Sequence, residues 1–429
     1  MRLSFTFERQ PFLEEDRMKS LKLTLLAASL LALSAPAAMA QTTITIWGND
    51  IPNTDPAVGP IGASAVLAKE FDDLRDDVTV VYRQVAFDDV ISEALRAYAT
   101  GQAPDIINLD NPNHAAFASR NVFLDLTDRF AASDVINAED FFPGPMSAVS
   151  WEGRYYGLPK GTDTLGLYYN VDLFEKAGIT EPPKTWDELL DAARKLNDPS
   201  SGVYGLTFSA RANENGTFQF LPWVQMKGAN FDNINTDGAV EALTFWSTFL
   251  AEGVSSPDVL TQSQTESTNT FIAGNAAMAV TGNWEINRMA SDTNFNWGVT
   301  MLPVPEDGQR SSALGGWTWG IFESTKNPNA AYDFLEYTVT QANRFYPEFS
   351  LLAPISTVKL EPTGDERKDA ALAVFLEQLN YAKPRGPHPE WQRISTAIFT
   401  ALQAAMTGAA TPRDALDTAA QTISGILAE

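Results

Sequence analysis

The chain has 429 residues and no cysteine, and 54 acidic residues against 30 basic ones give it a formal net charge of −24. That balance repels phosphate backbones and anionic membrane surfaces, which argues against nucleic acid or a membrane as partner. Without cysteine there is no disulfide and no N-terminal cysteine to carry a lipid.

An apolar fraction of 44% is enough for buried cores, and at ~100–200 residues per domain the length suits two or three domains. The first 40 residues read as a leader. Met18-Lys19-Ser20-Leu21-Lys22 is basic, Leu23 to Leu33 is apolar, and Ala38-Met39-Ala40 is a small-residue cleavage pattern. The apolar run is too short to span a bilayer. Met18 is then the expected start, with residues 1–17 an upstream extension. The expected product, residues 41–429, is a soluble monomer of the periplasm without a lipid anchor.

Thr43 to Trp47 alternates and predicts a first strand. Gly62 to Leu74 has helical spacing, Val78 to Val85 is a β-branched strand, and Asp88 to Ala99 is a helix ended by Gly101. Asp105 to Leu109 is a short apolar strand before the polar loop Asp110-Asn111-Pro112-Asn113. This β-α-β-α-β order predicts a parallel, doubly wound sheet. A second block begins near Trp151, with a strand at Gly166–Asn170. Thr185 caps a helix over Asp187–Leu196, and Asn235-Thr236-Asp237 caps another over Val240–Leu250. Further helices are expected at Ala330–Thr338 and Ala370–Leu379, and at the C-terminus with a break at Thr411-Pro412.

Catalytic and metal patterns are missing. The two histidines, His114 and His388, with no cysteine, build no zinc site. Nucleotide and nucleophile-elbow glycine motifs do not occur. The Asn233-Asn235-Asp237-Gly238 spacing fails as a calcium loop because its twelfth position is Thr244. No cofactor is expected. Paired carboxylates remain available for a glycosidase. What is present is aromatic and polar together: ten tryptophans, among them Trp47, Trp223, Trp284, Trp317 and Trp391, which are expected in or beside loops rich in Asn, Asp, Gly and Pro. Aromatic rings cover the C–H faces of sugars, and polar side chains hold the hydroxyl rims.

Three stretches carry a resemblance: GRYYGLPKGTDTLGLYYNVDLFEKAGITEPPKTWDEL (153–189), FIAGNAAMAVTGNW (271–284) and GGWTWGIFESTKNPNAAYDFLEY (315–337), with ALRAYATGQAPDIINLD (94–110) as a fourth. Together they resemble the family 1 extracellular solute-binding proteins of ABC importers, the family of maltose-binding protein, over essentially all of 43–425. The resemblance implies a periplasmic binding protein fold: two doubly wound α/β lobes joined by a hinge, with sugar in the cleft between them. Lobe 1 would hold 41–150 plus 304–352, and lobe 2 would hold 153–300 plus 356–429. The closed form would dock on the transmembrane permease.

Carried over position by position, the resemblance makes Asp163 a hydroxyl-binding carboxylate and Trp284, Trp391 and Phe218 stacking rings. It places Arg385 as a fork to sugar oxygens. Asp110, Asn111, Asn49 and Asp50 follow strands at the edge where open sheets bind ligand. Lys160 and Tyr156 are weaker candidates. At Gly315-Gly316-Trp317, the glycine at 316 would let backbone approach the ligand. Trp317 is expected to face the cleft and Trp319 the core, on opposite sides of one strand. The implied ligand is a di- or oligosaccharide, an α-glucoside by preference, bound without turnover. Glycerol-3-phosphate on the same fold is the alternative, and an exported glycosidase is a remote one.

Overall fold

The structure, a computed structural model, describes residues 41–50 and 62–429. The leader and start-site expectations fall on residues 1–40, outside the described residues. Twelve strands follow in chain order: β1 (Thr42–Gly48), β2 (Val78–Gln84), β3 (Ile106–Asp110), β4 (Ser150–Trp151), β5 (Arg154–Tyr155), β6 (Leu158–Pro159), β7 (Leu165–Asn170), β8 (Met278–Gly282), β9 (Trp297–Thr300), β10 (Ser312–Leu314), β11 (Trp317–Ile321) and β12 (Ala382–Pro384).

The largest sheet has the order β2-β1-β3-β11-β6. β1 and β3 run parallel, with Ile46 opposite Ile106, as the alternating and apolar runs predict. β11 joins antiparallel to β3, setting Trp317 opposite Asp110 and Trp319 opposite Asn108. β6 then pairs antiparallel with β11. The end of β1, the end of β3 and the start of β11 therefore meet at one edge of the sheet, the kind of edge where open sheets bind ligands. On the sheet's faces, Ile44, Ile46, Leu67, Phe71, Ile106, Trp319, Phe334 and Leu335 form a buried core.

A second sheet has the order β8-β7-β9, all antiparallel, extended by parallel bridges from Tyr204 to Ala276 and Thr207 to Ala279. It packs against a larger core that includes Leu167, Phe220, Trp223, Trp246, Ile394, Ile398 and Leu416. Each such side chain contributes ~1.5–3 kcal/mol on full burial. The chain leaves the first core after Leu158, returns to it with Trp319, and ends in the second with the helices Trp391–Met406 and Pro412–Leu427.

Several helices start where their caps predict. Thr185 and Glu188 form a full capping box on Trp186–Leu196, Thr236 caps Asp237–Ala251, and Thr411 caps the final helix. Two tryptophans differ from expectation. Trp223 lies inside the wholly buried helix Glu214–Met226, whose Pro222 has no N–H for the carbonyl of Phe218. Trp391 begins a helix and is completely buried. His114 is also buried, at the start of the short helix His114–Ala118, with Nδ1 3.0 Å from the Thr318 hydroxyl. Burial holds its pKa down at about 4. No described helix is long and apolar enough to cross a membrane.

Candidate functional site

A cavity of about 480 Å³ opens at the sheet edge formed by β1, β3 and β11. Nine of the eleven residues expected at a ligand site line it: Asn49, Asp50, Asp110, Asp163, Phe218, Trp284, Gly316, Trp317 and Arg385. The remaining two stand behind the wall. The Asn111 side-chain amide donates to the Leu314 carbonyl at 3.3 Å and its oxygen accepts from Arg385 at 3.1 Å. Trp391 corrects the expectation of a third stacking tryptophan: no face of its ring is open, and its indole N–H donates to Glu214 at 3.1 Å.

The Gly-Gly-Trp turn forms part of the cavity surface. Gly316 adopts φ +135°, and a Cβ there would lie 2.2 Å from the Gly161 carbonyl oxygen, so only glycine fits. Asn111 N–H donates to the Gly316 carbonyl at 3.0 Å, tying the turn to the end of β3. Trp317 lines the cavity and Trp319 is fully buried. They are not on opposite sides of the strand, as expected; residues two apart share a face. The Lys160 ammonium accordingly sits near both rings, 5.8 Å from Trp317 and 5.6 Å from Trp319. Depth along the strand separates them, because Trp317 stands at the sheet edge and Trp319 inside. Trp284, Phe87 and Phe349 extend the aromatic surface, with Phe87 edge-on to Trp317 and Phe218 tilted against Trp284.

Lys160 follows β6 and is 2% exposed. Its ammonium donates to the Ser64 hydroxyl at 2.7 Å, to the Asn108 side-chain oxygen at 3.3 Å and to Asp50 at 3.3 Å. Burial pushes the Asp50 carboxyl up, but Lys160 and Ser64 outweigh it and hold the group below its ordinary range. At the other end, Arg385 makes a two-pronged contact with Asp110 at 2.9 and 2.7 Å, and reaches Glu214 at 2.6 Å. Its guanidinium lies over the Phe218 ring at 4.5 Å. Burial disfavours the Arg385 cation, yet Asp110 and Glu214 together raise its pKa. Burial raises the pKa of Glu214 despite Arg385. The terminal nitrogens of Arg385 are thus engaged by protein, and only Nε is left without a partner. In this arrangement Arg385 positions other groups, and the fork to a ligand that was expected of it is already filled.

Asp163 differs from both. It is 4% exposed, accepts from the Asn283 amide at 2.9 Å, and makes no ion pair among the described residues. Burial raises its pKa to about 6. Arg288 pairs with the buried Glu285 at 2.9 Å, and nearer the rim Arg211 pairs with Asp88 at 3.0 Å. Sequence reasoning missed Glu214, Phe87 and these two pairs. Glu214 carries a weak signal, an acidic residue in the first turn of an otherwise neutral helix behind the cap Asn213. Tyr156 does not line the cavity.

The profile of the bacterial extracellular solute-binding proteins matches residues 57–344. The chain belongs to this family. Among relatives, a galactooligosaccharide-binding protein of Bacillus subtilis is 28% identical over 284 residues, covering 63% of this chain and 66% of that protein. The sn-glycerol-3-phosphate-binding periplasmic protein UgpB of Salmonella paratyphi A is 25% identical over 439 residues, covering 94% of this chain and 97% of that one. Among solved structures, the ABC substrate-binding protein Lmo0181 of Listeria monocytogenes, in complex with cycloalternan, superposes with a TM-score of 0.80 at 24% identity, over 90% of this chain and 99% of that one. The fold is the periplasmic binding protein fold, as the resemblance implied. The family comprises extracellular solute-binding components of ABC importers, an exported class, and these relatives bind galactooligosaccharide or glycerol-3-phosphate.

Proposed function

We propose that this protein binds a neutral di- or short oligosaccharide, an α-glucoside by preference, releases it unchanged to a membrane permease, and works as a soluble monomer of the periplasm. On this reading two lobes, 41–150 plus 304–352 and 153–300 plus 356–429, close over the cavity. The observation that carries it is the pairing of charge around the aromatic surface. Among the described residues, the four cations lining the cavity, Lys160, Arg211, Arg288 and Arg385, each already have a carboxylate. Six described carboxylates line it, and among the described residues Asp163 has an amide as its side-chain partner. Such a site offers rings and hydroxyl acceptors but no spare cation for a phosphate. This favours a sugar over the glycerol-3-phosphate that UgpB binds. A volume of about 480 Å³ is toward the low end of small-ligand sites, which suits a disaccharide. Asp110 and Glu214 share one arginine, so neither stands free as the second carboxylate of a glycosidase.

The test is thermal melting of the purified protein against maltose, trehalose, sucrose, palatinose, raffinose, monosaccharides and glycerol-3-phosphate. A ligand at 100 times its dissociation constant adds ~2.7 kcal/mol of stability. The expected result is a shift with one disaccharide, recovered intact. Hydrolysed sugar would replace binding by turnover, and a shift with glycerol-3-phosphate alone would remove the neutral-sugar reading.

A further inference from the structure

We propose that Asp50 is a resident anion that closes the Lys160 end of the cavity to phosphorylated and carboxylated solutes, and so determines its selectivity for neutral, hydroxyl-bearing ones. This rests on the cavity being the ligand site, as proposed above. A lysine ammonium has three donors, and Lys160 directs them at Ser64, Asn108 and Asp50. Two of these are neutral acceptors. Among the described residues, Asp50 is the carboxylate in ion-pair contact with an ammonium that is 2% exposed, and a buried charge without a counterion is costly. The same Asp50 oxygen accepts the Ser64 backbone N–H at 2.7 Å, in the first turn of the helix Ala63–Leu74. A ligand's anionic oxygen entering here would meet the donors that Asp50 already occupies, and would meet its charge.

The surrounding chain is shaped to hold this carboxylate. A Cβ at Gly62 would lie 2.0 Å from the Asp50 Cβ, so any larger residue there would displace the side chain. Tyr82 donates its hydroxyl to the Asp50 carbonyl at 3.1 Å, fixing the backbone. The indole rings of Trp317 and Trp319 lie beside Lys160, 5.8 and 5.6 Å from its ammonium. With the charge at position 50 removed, Lys160, the Ser64 hydroxyl and the Ser64 amide form a ready set of donors for a phosphate oxygen.

The experiment is titration of the purified protein with inorganic phosphate and glycerol-3-phosphate, beside the sugar found by melting, for the parent, Asp50→Asn and Asp50→Asn/Lys160→Met. The parent should bind neither phosphate. Asp50→Asn should bind both at least ~10-fold more tightly, since removing a like charge lifts a repulsion, and the double variant should lose that gain. Asp50→Ala is the second variant if Asp50→Asn does not fold. Tight binding of glycerol-3-phosphate by the parent overturns the proposal. So does a folded Asp50 variant with no gain, a gain that survives loss of Lys160, or failure of both variants to fold, which makes the carboxylate part of the fold. A parent that binds no sugar, with the phosphate gain still seen, would remove the neutral-sugar reading and leave the charge selection in place.

Discussion

The two ends of the cavity solve one problem in different ways. Each buries a cation and surrounds it with oxygen. At the Lys160 end every partner belongs to the first sheet or the helix beside it: Asp50 follows β1, Asn108 is in β3, and Ser64 opens Ala63–Leu74. At the Arg385 end the partners come from two cores. Asp110 ends β3, whereas Glu214 starts a helix of the larger core and is held there by Trp391 and Ser395. The first arrangement fixes a rigid floor. The second ties the end of β3 to a helix of the larger core, so it joins elements far apart in the chain. Similar residue chemistry can make a binding surface in one place and a clasp in the other.

Substituting each cation tests this contrast. Arg385→Met leaves two buried carboxylates without a cation and should cost ~3–5 kcal/mol of stability. Lys160→Met should cost less, ~1–3 kcal/mol, because Asp50 keeps the Ser64 amide. Urea unfolding measures both, and equal losses would erase the distinction between clasp and floor.

Asp163, which has neither kind of cation, should show itself in pH dependence. Its folded pKa of about 6 exceeds the ordinary aspartate value of 3.8, so the folded state binds the proton more tightly. Asp163 therefore contributes stability below about pH 4, and that contribution is lost as pH rises through 6, by at most ~3 kcal/mol. The stability difference between the parent and Asp163→Asn should move by this amount between pH 4 and 7. A flat difference would mean the carboxyl is not perturbed.

Trp317→Ala should weaken sugar binding by ~1–3 kcal/mol, by analogy with bases stacked on aromatic rings, and unchanged affinity in calorimetry would remove Trp317 from the binding surface. The smallest effect is expected at the rim. Arg211 and Asp88 are 39% and 48% exposed, so Arg211→Ala should change sugar affinity by ~0.2–1 kcal/mol, less at high salt. A larger, salt-insensitive loss would make the rim pair a second clasp.

Much of this was legible because it is local. The Thr185–Glu188 capping box lies within four residues, and the alternation of Thr43 to Ile46 gives its strand directly. The expected site residues follow strands or glycine turns, and strand ends gather at a sheet edge. What escaped depends on partners far apart in the chain. Glu214 gains its place from Arg385, 171 residues away, and no spacing announces such a pair. Trp391, to which the resemblance gave a stacking role, is buried instead, and the acceptor for its N–H lies 177 residues away. The second sheet was visible only through β7, since its neighbours β8 and β9 lie more than a hundred residues on and pair antiparallel.

The insertion of β11 between β3 and β6 has a consequence for the order of folding. Asn108 must wait for the carbonyl of Thr318, 210 residues later, and β6 has no neighbour in the sheet until β11 arrives. Neither can be completed while the ribosome is still short of that strand, and pairings so distant in sequence close slowly. The first sheet therefore stays open until β11 is made, well after β1 and β3 have left the ribosome.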